Sequence, residues 1–133
     1  MQSIECVSVQ GRPLAYIIRS EFSPQRTEFP TPAELNLQVG FVVYAAGGAV
    51  APHLHRPIAR STVGTAEVLV VKTGRCLLDV FDDDKRLIAT RELRPGDVML
   101  MVGGGHGFRM LEDTVLLEVK QGPYTGLDEK ERF

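Results

Sequence analysis

Glu67-Val-Leu-Val-Val-Lys-Thr-Gly74 is an apolar, β-branched run that opens on a carboxylate and closes on a turn glycine, the composition of a strand and its turn. A strand's period of two puts Glu67, Leu69 and Val71 on one side. With that side inward, Glu67 sits at the mouth of a barrel while the two apolar residues fill the space below it. The plainer reading of a strand glutamate is a solvent-facing carboxylate. Downstream the same grammar repeats. Cys76–Phe81, Leu87–Leu93, Val98–Met101 and residues 108–111 and 114–119 are short apolar runs. Between them stand Asp82-Asp-Asp-Lys85, Arg94-Pro-Gly-Asp97, the glycine tract 103–107 and Glu112-Asp113. Short strands separated by turn signals predict an all-β sandwich or barrel, and no stretch predicts a helix of length.

Upstream, Ile4–Val9 and residues 14–19 flank Gln10-Gly11-Arg12-Pro13 and predict a hairpin. Residues 20–33 carry Pro24, Pro30 and Pro32 and predict a connecting loop. The alternation of Leu35, Leu37, Val39, Phe41 and Val43 predicts a long strand closed by Ala45-Ala-Gly-Gly48. Next comes Gly47-Gly-Ala-Val-Ala-Pro-His53-Leu-His55, whose two histidines, if extended, leave the same face about 7 Å apart, close enough for one ion. The third histidine of the chain lies in Gly103-Gly-Gly-His106-Gly, where the backbone is free to turn a ring inward. Residues 56–65 read as a loop, and the polar residues 123–133 as either one helical turn or a docked tail.

At 133 residues the chain is expected to form a single domain, 1–133, with a substantial core. Fifteen basic against seventeen acidic side chains give a net charge of −2 with no basic tract, which argues against nucleic acid as a partner. Cys6 and Cys76 show no C-x-x-C spacing and read as reduced thiols. No signal peptide and no run of eighteen apolar residues is found, so the expectation is a cytoplasmic protein that does not engage membrane.

The glycine, histidine and glutamate spacing resembles the first motif of the cupins, a family of small jelly-roll barrels (double-stranded β-helices). The family pattern is a glycine, five residues, His-x-His, then a glutamate, six residues and a glycine, here Gly47, His53, His55, Glu67 and Gly74. Eleven residues separate His55 from Glu67 where the family has three or four, which implies an inserted loop. The second motif is matched in part by Gly96, Gly104 and His106. Val102 stands in place of the family proline, His106 comes one residue early, and Met110 replaces the asparagine. The resemblance covers residues 39–120. It implies that His53, His55, Glu67 and His106 ligate one divalent transition metal (Fe, Ni, Zn, Mn or Cu), and that two chains pair as a homodimer through an N-terminal strand.

Three imidazoles and a carboxylate suit such ions and leave coordination positions open for water or substrate. A lone His-x-His is more often surface polarity; the added Glu67, Gly74 and His106 shift the balance toward a site. Gln38, Arg56, Glu118 and Lys120 are candidates for a supporting or substrate-contacting role, Arg56 and Arg60 for an anionic substrate, each weighed against simple exposure. Phe29, Tyr44, Phe108 and Met110 read as core. The expected function is a metal-dependent enzyme acting on a small molecule, of oxygenase, isomerase or lyase type. An isomerase or lyase needs a base, and with no spare histidine that leaves Glu118, Lys120, Tyr44 or a metal-bound hydroxide. The alternatives are a non-catalytic module that binds a small ligand and a metal-free barrel with incidental histidines.

Overall fold

The computed structural model describes residues 3–122 and 130–133 and divides into two compact units, Met1–Ser23 with Thr65–Phe133, and Pro24–Gly64. The first unit is all β among its described residues: β1 (Ile4–Val9), β2 (Arg12–Ile18), β3 (Glu67–Thr73), β4 (Cys76–Phe81), β5 (Leu87–Leu93), β6 (Val98–Met101), β7 (Gly105–Met110) and β8 (Val115–Lys120). They form two antiparallel sheets, one of five strands in the order β1-β2-β6-β3-β8 and one of three in the order β5-β4-β7. This is a sandwich or barrel-like β fold, as the spacing of the runs predicts.

The inward residues are those the alternation selects. Along β3, Glu67, Leu69 and Val71 are buried while Val68 and Val70 are half-buried. Along β4, Cys76, Leu78 and Val80 are wholly buried. With Val7, Leu14, Ile17, Leu93, Met99 and Met101 they make the core between the sheets. Each fully buried aliphatic side chain contributes about 1.5–3 kcal/mol. Gly74 ends β3 at φ +88, and a Cβ there would run into the backbone of Asp113 and Thr114, so both its conformation and its space require glycine. The hairpin of β1 and β2 turns at residues 10 and 11; Pro13, expected in the turn, instead enters β2 opposite Ser8, next to a register shift.

One buried ion pair fastens the sheet. Asp97, 2% exposed, accepts hydrogen bonds from Arg19 Nη1 (3.0 Å) and from the backbone N–H groups of Ser20 (2.8 Å) and Arg94 (2.9 Å). Both oxygens of this carboxylate are thus engaged at the corner where β2 ends and β6 begins.

The Pro24–Gly64 unit corrects two expectations. Neither the strand expected over 35–43 nor the one expected to carry His53 and His55 forms; the unit's one strand-like feature is an isolated bridge between Glu28 and Phe41. A strand needs a partner along its length. Pro30 and Pro32 remove donors beside that bridge, and Pro52 and Pro57 interrupt the histidine segment. Residues 44–65 are exposed throughout.

Candidate functional site

A cavity of about 700 Å³ lies in the eight-stranded unit, lined from β3 and β8 on one side and from β4 and β7 on the other. β8 and β7 are edge strands of their respective sheets, so the gap between them is not closed by backbone pairing. Glu67 comes to its rim as the first, inward-facing residue of β3, 9% exposed. His106 comes from β7, opposite Val80 of β4. Gly104, at φ +60 and packed so closely on the Phe81 carbonyl that a Cβ has no room, sets the bend from which β7 starts. The result is that His106 Nε2 stands 3.5 Å from Glu67 Oε2, both side chains largely withdrawn from solvent.

Glu118, on β8, completes the group. It lies in the strand that pairs with β3, where Lys120 is opposite Glu67 and Glu118 opposite Leu69. The contact with His106 holds the Glu67 carboxyl down to about 2, against the opposing effect of burial; hydrogen bonding with Glu118 and the charge of Lys120 act in the same direction as His106. Glu118 moves the other way, first through its hydrogen bond to Glu67 and then through burial. Two carboxyls in hydrogen-bonding contact separate in this fashion, one held down and the other pushed up.

A second polar cluster lines the same cavity. Arg109 donates from Nε to Asp79 Oδ2 (2.7 Å) and from Nη2 to Oδ1 (2.8 Å), and Thr90 Oγ1 donates to Oδ1 at 2.7 Å. Arg109 and then Thr90 hold Asp79 below the usual carboxylate range. The bidentate fork fixes the guanidinium at the wall while most of the side chain stays exposed. Neither residue was among the sequence candidates. The available signal was a charge inside an otherwise apolar run, Cys-Leu-Leu-Asp79-Val-Phe, with Arg109 between Phe108 and Met110.

Of the residues expected to act together, Glu67, His106, Glu118 and Lys120 meet in one unit. His53 and His55 belong to the other, exposed, with ring centroids 5.1 Å apart and His53 Nδ1 2.9 Å from the Ala51 carbonyl. Arg56 is exposed there too, and Gln38 reaches the Thr31 carbonyl at 3.4 Å. Among the described residues, no three histidine, cysteine, aspartate or glutamate side chains gather as a group that could hold a metal ion. Phe108 lines the cavity, whereas Phe29, Tyr44 and Met110, read as core, are more than half exposed. Among the described residues no helix is long and apolar enough to cross a membrane. Comparisons with family models, with curated proteins and with solved structures find no match.

Proposed function

We propose that this chain is a metal-dependent enzyme of small molecules, a cupin-type jelly roll that holds one divalent transition metal through Glu67 and His106, with His53 and His55 as the further ligands that the sequence pattern implies. The observation that carries the reading is the meeting of Glu67 and His106, from different sheets, at the rim of a cavity sized for a small ligand. Two of the four proposed donors stand together. Glu67 is kept ionised, as a ligand must be, and an imidazole stands beside it. When bound, such an ion acts as a Lewis acid on a substrate oxygen. The chain's own groups supply the rest. Glu118, its carboxyl pushed up by the hydrogen bond to Glu67, stands beside the reacting end, Arg109, fixed by Asp79, presents a cation at the wall, and Phe108 and Phe81 add apolar lining. A reducing, cytoplasmic setting suits the two free thiols, and β1, at the end of the five-strand order, offers an edge for pairing into a homodimer.

Metal analysis of protein purified without chelators tests this. The expected result is near-stoichiometric metal in the wild type, most of it lost in His53→Ala and His55→Ala and part of it in Glu67→Gln, with the circular dichroism unchanged. Stoichiometric metal surviving in the double histidine variant overturns the ligand assignment.

A second reading is favoured by the Glu67–Glu118 pair itself. Two neighbouring carboxyls moved in opposite directions, one held down and one pushed up, are the pair that a base-and-acid proton shift uses, as an isomerase or lyase requires. Wild type that takes up none of the first-row ions, yet loses ligand turnover in Glu118→Gln, selects this reading.

A further inference from the structure

The three-stranded sheet has two faces, and the cavity lining passes round its β7 edge onto both. Val80 lies opposite His106 and Leu78 opposite Phe108, which puts that histidine and that phenylalanine on the core face. Phe81 lies opposite Gly105, Asp79 opposite Gly107 and Leu77 opposite Arg109, so these residues share the other face. Thr90 joins them from β5, opposite Asp79.

On that face Gly105 and Gly107 leave the backbone of β7 bare. Phe133 fills the space over Gly105: its Cζ stands 3.0 Å from where a Cβ would be, and its ring meets Phe81 edge to face with centroids 5.0 Å apart. Over Gly107 a Cβ would meet nothing within 4 Å among the described residues. The open stretch therefore runs along β7 from the two phenylalanines to Arg109, about 13 Å from Gly105 to Arg109 at the rise of a strand.

Arg109 is oriented by Asp79. That carboxylate, 9% exposed, accepts from Nε and from one N–H of Nη2, and Thr90 fixes it in turn. The far edge of the guanidinium, both N–H groups of Nη1 and the second of Nη2, has no partner among the described residues, and the side chain is 60% exposed. Two parallel N–H donors in one plane match a carboxylate. Lys130 and Arg132 line the same cavity and add positive charge, while Glu131 is taken up by Lys85 at 2.6 Å.

We propose that this face is a second binding site, for a small aromatic carboxylate. The carboxylate takes the free edge of Arg109, the ring lies on the bare backbone at Gly107, and Phe133 with Phe81 closes the far end. The site uses neither a metal nor Glu67, His106 and Glu118, so it stands apart from the metal reading.

Benzoate titrated into the full chain and followed by NMR tests it. In the wild type, benzoate should shift the Gly107 amide and the Arg109 Nε–H, and its ring protons should give intermolecular NOEs to the Gly107 Hα protons. Benzamide, of the same shape without the charge, should bind at least about tenfold more weakly, the worth of one hydrogen-bonded charge. Arg109→Gln should lose a similar factor for benzoate, and Arg109→Lys, which keeps the charge without the fork, should fall between. Gly107 has a negative φ and free space above it, so Gly107→Val should keep the sheet folded and abolish benzoate binding. That variant fills a void, so it decides the matter even where Arg109→Gln loosens the sheet. NOEs from benzoate to the His106 or Phe108 rings would put the probe on the core face and overturn the assignment. So would equal affinity for benzoate and benzamide, undiminished binding in Gly107→Val, or no shift in the wild type.

Discussion

Glu67 joins three facts that pull on one carboxyl: inward placement on β3, an imidazole at 3.5 Å, and a second carboxyl on the neighbouring strand. Its folded value of about 2 lies below the ordinary 4.5, so it contributes stability that is present above pH 4.5 and lost as the pH falls toward 2. Glu118, raised, has the opposite sign: its contribution is present in acid and is lost as the pH rises through its raised value. The two titrate as a pair, and removing one releases the other. In Glu67→Gln, the Glu118 carboxyl carbon should titrate at lower pH than in the wild type, because the charge and hydrogen bond of Glu67 that push it up are changed. The stability gap between wild type and variant, measured by urea denaturation, should narrow from pH 5 to pH 2. A gap that stays constant over that window would show that the Glu67 charge is not held by its neighbours. The inward side of Glu67 was legible from the alternation with Leu69 and Val71, and Glu118 was legible as a candidate base. Their contact was not, because the register of β3 against β8 is a tertiary fact. Asp79 and Arg109 were missed for the same reason: each is ordinary until its partner across β4 and β7 is known.

At the scale of elements, punctuation proved a better guide than periodicity. The runs bounded by Thr73-Gly74, Asp82 to Lys85 and Arg94 to Asp97 all became strands, because each turn lets its flanking strands meet partners. The alternation over 35–43 had no such partner and stayed irregular. The turn before β6 shows how much a single punctuating residue can hold. Asp97 ties the end of β2 to the start of β6 through Arg19, Ser20 and Arg94. With Asp97 removed, Arg19, only 11% exposed at its side chain, is left as a buried cation and two N–H groups lose their acceptor. Breaking such a pair costs about 3–5 kcal/mol. Asp97→Ala should lower the unfolding free energy by about 3 kcal/mol or more in urea titrations. The same substitution at Asp83, whose contact with Arg12 is exposed on both sides, should cost far less. Equal losses at the two positions would mean that burial does not set the value of these pairs.

Across the whole molecule, the eight-stranded unit carries the buried core and the cavity, whereas residues 44–65 carry two of the three histidines on a wholly exposed path. That path also bears Leu54 at 94% and Val63 at 91% exposure, apolar side chains with nothing gained from solvent. Exposed, strandless backbone is where proteases cut first. Trypsin has two arginines there, but Pro57 follows Arg56 and blocks that bond, leaving Arg60-Ser61 as the bond it can cut on this path. If His53 and His55 take up an ion together with Glu67 and His106, the segment between them loses the freedom a protease needs. Added Zn(II) or Ni(II) should then slow the cut after Arg60, by a factor set by the ratio of ion concentration to its dissociation constant. Glu67→Gln and His106→Ala should weaken that protection although neither residue lies near the scissile bond in sequence. Protection that depends on His53 and His55 but is indifferent to Glu67 and His106 would mean that the His-x-His pair binds metal alone.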